Sequence, residues 1–266
     1  MRLFAAVLTT FCLSFPAFAG LDLTPHRAVY DMERLKRDNG SAFAQVGGRM
    51  VYHYDRTCEG TTYNHRMLLD LVSAQGAPIR SETILSFYET ADGLNLRFQI
   101  RELLNDTPVV ELEGRVTRPS LTETAVVSYA KREGAEGEPT LTLPGRVLFP
   151  LQHTDDLIRA ALDGDITHNV KTFDGDELSL VDSFIQPATA GRRDDSVVPE
   201  AMAGMKSWLT RVSFFRTDNT DGAPYYETQM RFWENGLSGD FTMETDDLAV
   251  VARLREVQLY SKPDCD

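Results

Sequence analysis

Cysteine is scarce in this chain, with three among 266 residues, and none stands in a Cys-x-x-Cys spacing. That argues against a thioredoxin-type redox centre and, with no cysteine–histidine cluster, against a structural zinc site. The five histidines, His26, His53, His65, His153 and His168, form no His-Glu-x-x-His or other zinc spacing. There is no Gly-x-Ser-x-Gly elbow. There is no nucleotide fingerprint either, because Gly47-Gly48 precedes a strand pattern and not a helix, which points to a turn or bulge. Positive charge is also short: 27 Lys and Arg face 40 Asp and Glu, a formal net charge of −13. Such a surface repels phosphate backbones and anionic lipid head groups, so neither nucleic acid nor an acidic membrane surface is an expected partner. Beyond the N-terminus no long uncharged apolar run occurs, so the chain is not expected to span a membrane and should be soluble.

The N-terminus has an export signal. Met1-Arg2 supplies one positive charge, Leu3 to Phe18 is mostly apolar, and Ala17-Phe18-Ala19 is a small-x-small cleavage site. The run is broken by Thr9, Thr10, Ser14 and Pro16 and is short for a bilayer span. Gly20 follows the cleavage site, where a lipoprotein would have cysteine. We expect a signal peptide over 1–19 and a single domain over 20–266. Removing the signal takes away Arg2 and no acid, so the charge becomes −14. It also discards Cys12, leaving Cys58 and Cys265. In an oxidising compartment two thiols are most simply a disulfide, worth up to about 5 kcal/mol on the chain-entropy model for so long a loop. Two reactive thiols are the alternative.

Period-two patterning dominates the mature chain. Arg49 to Tyr54 places Met50, Tyr52 and Tyr54 on one face. Thr83 to Tyr88 leads to the hairpin turn Asp92-Gly93, after which Leu94, Leu96, Phe98 and Ile100 alternate with polar residues. Val109–Val116, Thr124–Tyr129, Val170–Phe173, Leu178–Phe184, Trp208–Phe215, Tyr225–Trp233, Leu237–Met243 and Leu248–Tyr260 read as further strands. Asp174-Gly175 and Asn235-Gly236 read as turns, and the last strand changes phase near Arg255, which predicts a bulge. Lys131–Pro139 and Gln186–Gly204 read as loops. One helix is expected, capped by Thr154, with Asp155 and Asp156 in its first turn, Leu157, Ile158, Ala161 and Leu162 on its apolar face and Gly164 at its end. Many antiparallel strands with one helix favour a barrel or strongly curved sheet.

No residue stands out as catalytic. His153-Thr154-Asp155-Asp156 resembles a ligand cluster, but helix capping accounts for its threonine and acids. Asp174-Gly175-Asp176 lacks the later positions of a calcium loop and is sufficient as a turn. Scattered carboxylates leave open a glycosidase-type pair. Tyr52, Tyr54, Phe87, Phe98, Trp208, Phe214, Phe232 and Phe241 lie in strands, where most should fill the core, although a curved sheet with surplus apolar lining could hold a lipid or peptide chain.

Several short motifs occur in a distinctive order: Leu23-Thr24-Pro25-His26-Arg27-Ala28-Val29-Tyr30, Gly48-Arg49-Met50-Val51-Tyr52, Thr57-Cys58-Glu59-Gly60, Glu113-Gly114, Leu148-Phe149-Pro150 and Phe173-Asp174-Gly175. With a cysteine at the extreme C-terminus, this chain resembles the EipB family of periplasmic cell-envelope-integrity proteins of alphaproteobacteria. The resemblance covers the whole mature chain. It implies a mainly β fold, a broken, spiral-like antiparallel β-barrel with an internal α-helix, similar to lipoprotein-carrier barrels. It implies a disulfide between Cys58 and Cys265 and a non-enzymatic role in the periplasm of a Gram-negative cell, whose envelope becomes stress-sensitive when the protein is lost. No catalytic residue, metal or cofactor is implied. The expected partner is an envelope protein, a lipid or a lipoprotein segment; the alternative is a periplasmic hydrolase of cell-wall or glycan material using a carboxylate pair.

Overall fold

The computed structural model describes residues 23–35, 42–134, 139–188, 200–218 and 222–265. The expected signal segment therefore lies outside the described residues, as do 135–138 of the first expected loop and 189–199 of the second. The strands are β1 (His26–Arg34), β2 (Phe43–Arg56), β3 (Gly60–Ser73), β4 (Pro78–Thr90), β5 (Asn95–Leu104), β6 (Thr107–Thr117), β7 (Ala125–Glu133), β8 (Thr140–Leu143) and β9 (Val147–Leu148). Helix α1 (Pro150–Asp163) comes next, then β10 (Thr167–Phe173), β11 (Leu178–Pro187), β12 (Ser207–Arg216), β13 (Tyr226–Trp233), β14 (Ser238–Glu244) and β15 (Ala249–Leu259).

All fifteen strands belong to one sheet, in the order β8 to β1, then β15 to β9. The two sequence-terminal strands, β1 and β15, are neighbours, and the two mid-chain strands, β8 and β9, are the free edges. The sheet curls, because Phe98 of β5 and Phe173 of β10, far apart in sheet order, have ring centroids 6.2 Å apart. Leu143 of β8 and Val147 of β9 share one buried cluster, so side chains close the seam that backbone pairing leaves open. The broken, spiral-like barrel implied by the resemblance is the observed architecture.

Alternation drives this fold wherever one face is fully apolar. Met50, Tyr52 and Tyr54 are buried, as are Leu96, Phe98 and Ile100. Leu94 sits in the turn before β5, half-buried. Val29 pairs with Glu256 and Tyr30 with Leu254, which leaves Arg255 as the extra residue of a bulge. Gly47 and Gly48 form neither a turn nor a bulge: they lie in regular register within β2, opposite Asp70 and Leu69. Gly48 is required by close approach, since a Cβ there would sit 2.2 Å from the Leu68 carbonyl oxygen. Cys58, in the β2–β3 turn, is bonded to Cys265, with Cα atoms 5.6 Å apart.

The helix starts earlier than the capping pattern predicts. Its first residue is Pro150, the N-cap is Phe149, and Asp155 and Asp156 fall beyond the first turn. Thr154 is inside the helix, its hydroxyl donating to the Pro150 carbonyl oxygen at 3.2 Å. The cap comes from another element: Glu89 of β4 accepts the backbone N–H of Leu151 at 2.7 Å and of Gln152 at 3.1 Å. Gly164, in the left-handed conformation at φ 91°, ends the helix as expected. Leu157, Ile158 and Ala161 are buried, together with Leu151 and Ala160, whereas Leu162 is exposed.

Candidate binding cavity

Inside the barrel is a cavity of about 570 Å3. Its floor is α1, through Leu151, His153, Thr154, Leu157 and Ile158, and its walls come from β2 to β5 on one side and β12 to β14 on the other. The apolar wall includes Met50, Met67, Met230, Met243, Leu85 and Phe241. Four flexible thioethers make a lining that adapts to the shape of its contents. At the end away from α1 stand Met67, Met243 and the exposed Glu102.

Tyr63 of β3 is the centre of the arrangement. It packs against all three of the large hydrophobic clusters: the one around α1, the one behind the seam and the one beneath β1–β3. Its ring stacks on Phe87 at 6.3 Å and tilts against Tyr52 at 5.8 Å. Burial pushes its hydroxyl pKa well up, and the nearby Tyr52 and Tyr226 hydroxyls add to this, so it is a neutral hydrogen-bonding group.

A second polar group runs along β1 and β2. His26 Nδ1 lies 2.7 Å from the Thr24 carbonyl oxygen, which can only accept, so Nδ1 carries the proton and Nε2 accepts from the Tyr52 hydroxyl at 3.0 Å. The Tyr30 hydroxyl donates to the Ser238 carbonyl oxygen at 2.8 Å and lies 3.3 Å from that of Tyr52. Burial lowers the His26 pKa, only partly opposed by the Thr24 bond. Burial also pushes His65 down to about 4. His153 falls to about 4 as well, through burial first and the neighbouring His168 second. The Nε2 atoms of His65 and His153 are buried without a hydrogen-bond partner. All three imidazoles are therefore neutral at physiological pH.

The four residues His153 to Asp156 do not act together. His153 stacks on His168 of β10 at 5.9 Å, whereas Asp156 accepts from His168 Nε2 at 2.8 Å. Among the described residues no group of three or more His, Cys, Asp or Glu could hold a metal ion. Asp174 accepts the N–H groups of Asp176 and Glu177 at 3.0 and 2.9 Å, the geometry of a hairpin turn. Among the described residues, Glu102 is the one carboxylate of the cavity wall. Glu89 is occupied with α1, where burial pushes its carboxyl up to about 8, against the Leu151 and Gln152 N–H bonds and the Arg118 guanidinium. Of the eight strand aromatics, Tyr52, Tyr54, Phe214, Phe232 and Phe241 line the cavity, while Phe87 and Phe98 pack behind the seam and Trp208 packs in the cluster around α1.

Sequence reasoning missed Tyr63, His65 and Met67, which share one face of β3, and Glu89 and Arg118. For β3 the signal was hidden, because its inward face is itself half polar.

The family model described as EipB-like matches residues 17–261. The chain belongs to the EipB-like family. It is similar to the cell envelope integrity protein EipB of Brucella abortus (strain 2308), with 26% identity over 250 residues, covering 92% of this chain and 87% of that protein. A crystal structure of a beta-barrel-like protein of a domain of unknown function from Brucella abortus superposes with a TM-score of 0.80 at 26% identity. That match covers 91% of this chain and all of the other. No helix among the described residues of this EipB-like chain is long and apolar enough to cross a membrane.

Proposed function

We propose that this protein maintains the integrity of a Gram-negative envelope from the periplasm, as a binding protein and not an enzyme, by holding the apolar chain of a lipid or lipoprotein in its barrel. The observation that carries this reading is the cavity of about 570 Å3, walled by methionine, leucine and aromatic side chains and floored by an amphipathic helix. A pocket of that size and lining suits an apolar ligand fixed by a few polar groups. With each methylene taking no more than about the 30 Å3 share of a liquid water, there is room for a chain on the order of ten to twenty carbons. The relative named for envelope integrity supports the cellular role, and the N-terminal signal supports the compartment.

Native mass spectrometry on protein taken from the periplasm tests the reading. A bound mass in the lipid range, or a shift on adding an acylated peptide, is expected. A clean apo mass with no shift overturns the binding role. Deletion should sensitise cells to detergent and to β-lactams, and unchanged tolerance would count against the envelope role.

A further inference from the structure

The cavity wall among the described residues contains no lysine and no arginine. Its polar groups include the hydroxyls of Tyr63, Tyr226, Thr83 and Thr228, with further neutral hydroxyls from Tyr52, Tyr54, Thr154 and Ser238, and imidazoles that burial keeps neutral. The one formal charge on the wall is negative, Glu102 of β5, near the mouth. Burial raises the Glu102 carboxyl pKa first and Asp176, in the β10–β11 turn, adds to this, although the Arg132 guanidinium 3.5 Å from Asp176 offsets part of its field. An anion entering this space would give up its water, meet no counter-charge, and face a carboxylate as it passed. An uncharged ester, amide or alcohol loses far less and finds neutral hydroxyl and imidazole partners.

We propose that the cavity selects against negative charge: it takes a single hydrocarbon chain attached through a neutral ester or amide, and rejects the same chain ending in a free carboxylate. This rests on the reading that the barrel holds an apolar chain, and it goes further by naming the chemistry at the head of that chain. In chemical terms it separates acyl groups still joined to a carrier from the free acids that deacylation releases.

The test compares two fourteen-carbon ligands, monomyristoylglycerol and myristate, by equilibrium dialysis against the purified protein at pH 7.5, with both ligands below their micellar concentrations. Monomyristoylglycerol is expected to bind at least tenfold more tightly. Equal binding, or tighter binding of myristate, overturns the charge selection while leaving the apolar-chain reading standing. Binding of neither ligand removes that reading itself. Glu102→Lys supplies a second arm. The position is exposed, so the barrel should fold, and a cation there should raise the affinity for myristate relative to monomyristoylglycerol about tenfold. Equal change for both ligands, or none for either, would show that charge at this mouth does not control entry.

Discussion

The guanidinium of Arg118, just beyond the end of β6, donates to the carbonyl oxygen of Val147 in β9 at 2.6 Å. The bond crosses the barrel seam. The same side chain donates to the Gly93 carbonyl oxygen at 2.7 and 3.0 Å and to Gln152 Oε1 at 2.8 Å, and it lies 4.4 Å over the Phe149 ring. One buried arginine thus ties together a strand edge, a hairpin turn and the start of α1. Arg118→Met should cost about 2–4 kcal/mol, because it strips the arginine donors from the buried carbonyl oxygens of Gly93 and Val147, at roughly 1–3 kcal/mol each before relaxation. Arg118→Lys should recover little, because an ammonium cannot span this planar set of acceptors. Urea unfolding checks both. Loss of less than about 1 kcal/mol in the Met variant would mean that Leu143 and Val147 close the seam by packing alone.

Glu89 gives the fold a pH dependence. Its carboxyl is raised from about 4.5 to about 8, mainly by burial, so the folded state binds a proton that the unfolded state has already released. The stabilisation is complete below about pH 4.5 and is lost as pH rises through 8, by a few kcal/mol at most. Glu89→Gln removes the titration while retaining an acceptor for one helix N–H. Melting temperatures between pH 6.5 and 8.5, above the range in which the buried histidines act, should decline for the native chain and stay flat for the variant. Parallel profiles would mean that Glu89 stays ionised throughout, held by Leu151, Gln152 and Arg118.

These two residues show where the sequence was legible and where it was not. Leu96-Phe98-Ile100 announced its strand because that face packs in the core behind the seam and must be apolar, Met50-Tyr52-Tyr54 because its row on the cavity wall is uniformly large and apolar or aromatic, and Arg255 marked its bulge by the change of phase. β3 gave no such signal. Its Tyr63, His65 and Met67 face a cavity, where packing does not demand a purely apolar row. β8 and β9, at four and two residues, are too short for a period to show. The start of α1 carries local marks in Pro150 and in Gln152, whose Oε1 accepts the Phe149 N–H at 3.1 Å, but Thr154-Asp155-Asp156 gives a stronger capping pattern, and the cap at Glu89 lies 62 residues before Leu151, where no local pattern records it. Arg118 looked like any surface arginine for the same reason.

The lowered histidines act on the acid side. His65 and His153 fall from 6.5 to about 4, so their contribution is complete above about pH 6.5 and is lost as pH falls through 4. Each is worth up to about 3 kcal/mol, less where cavity water reaches the ring. His153→Gln should flatten the decline in melting temperature between pH 6.5 and 4, and His65→Gln should do the same independently. A decline as steep in the double variant as in the native protein would place its origin in other groups.

Cys58 and Cys265 are 207 positions apart in sequence. Replacing both with serine should lower stability by about 2–4 kcal/mol, chiefly by freeing the unfolded chain. The bridge sits outside the cavity wall, so occupancy by a neutral C14 chain should not change. Chemical denaturation with and without reductant checks the first statement, and equilibrium dialysis checks the second. Lost occupancy in a variant that is still folded would mean that the bridge shapes the cavity.

The pairing of β1 with β15 has a kinetic consequence. His26 meets Leu259 and Arg34 meets Val250, contacts that span nearly the whole chain. The N-terminal strands can pair with one another as a meander, but β1 keeps an open edge until β15 arrives. Closure by the last strand gives a high contact order and a slow final step. Until then the chain is an unfinished sheet whose open edge depends on protection from pairing with its neighbours.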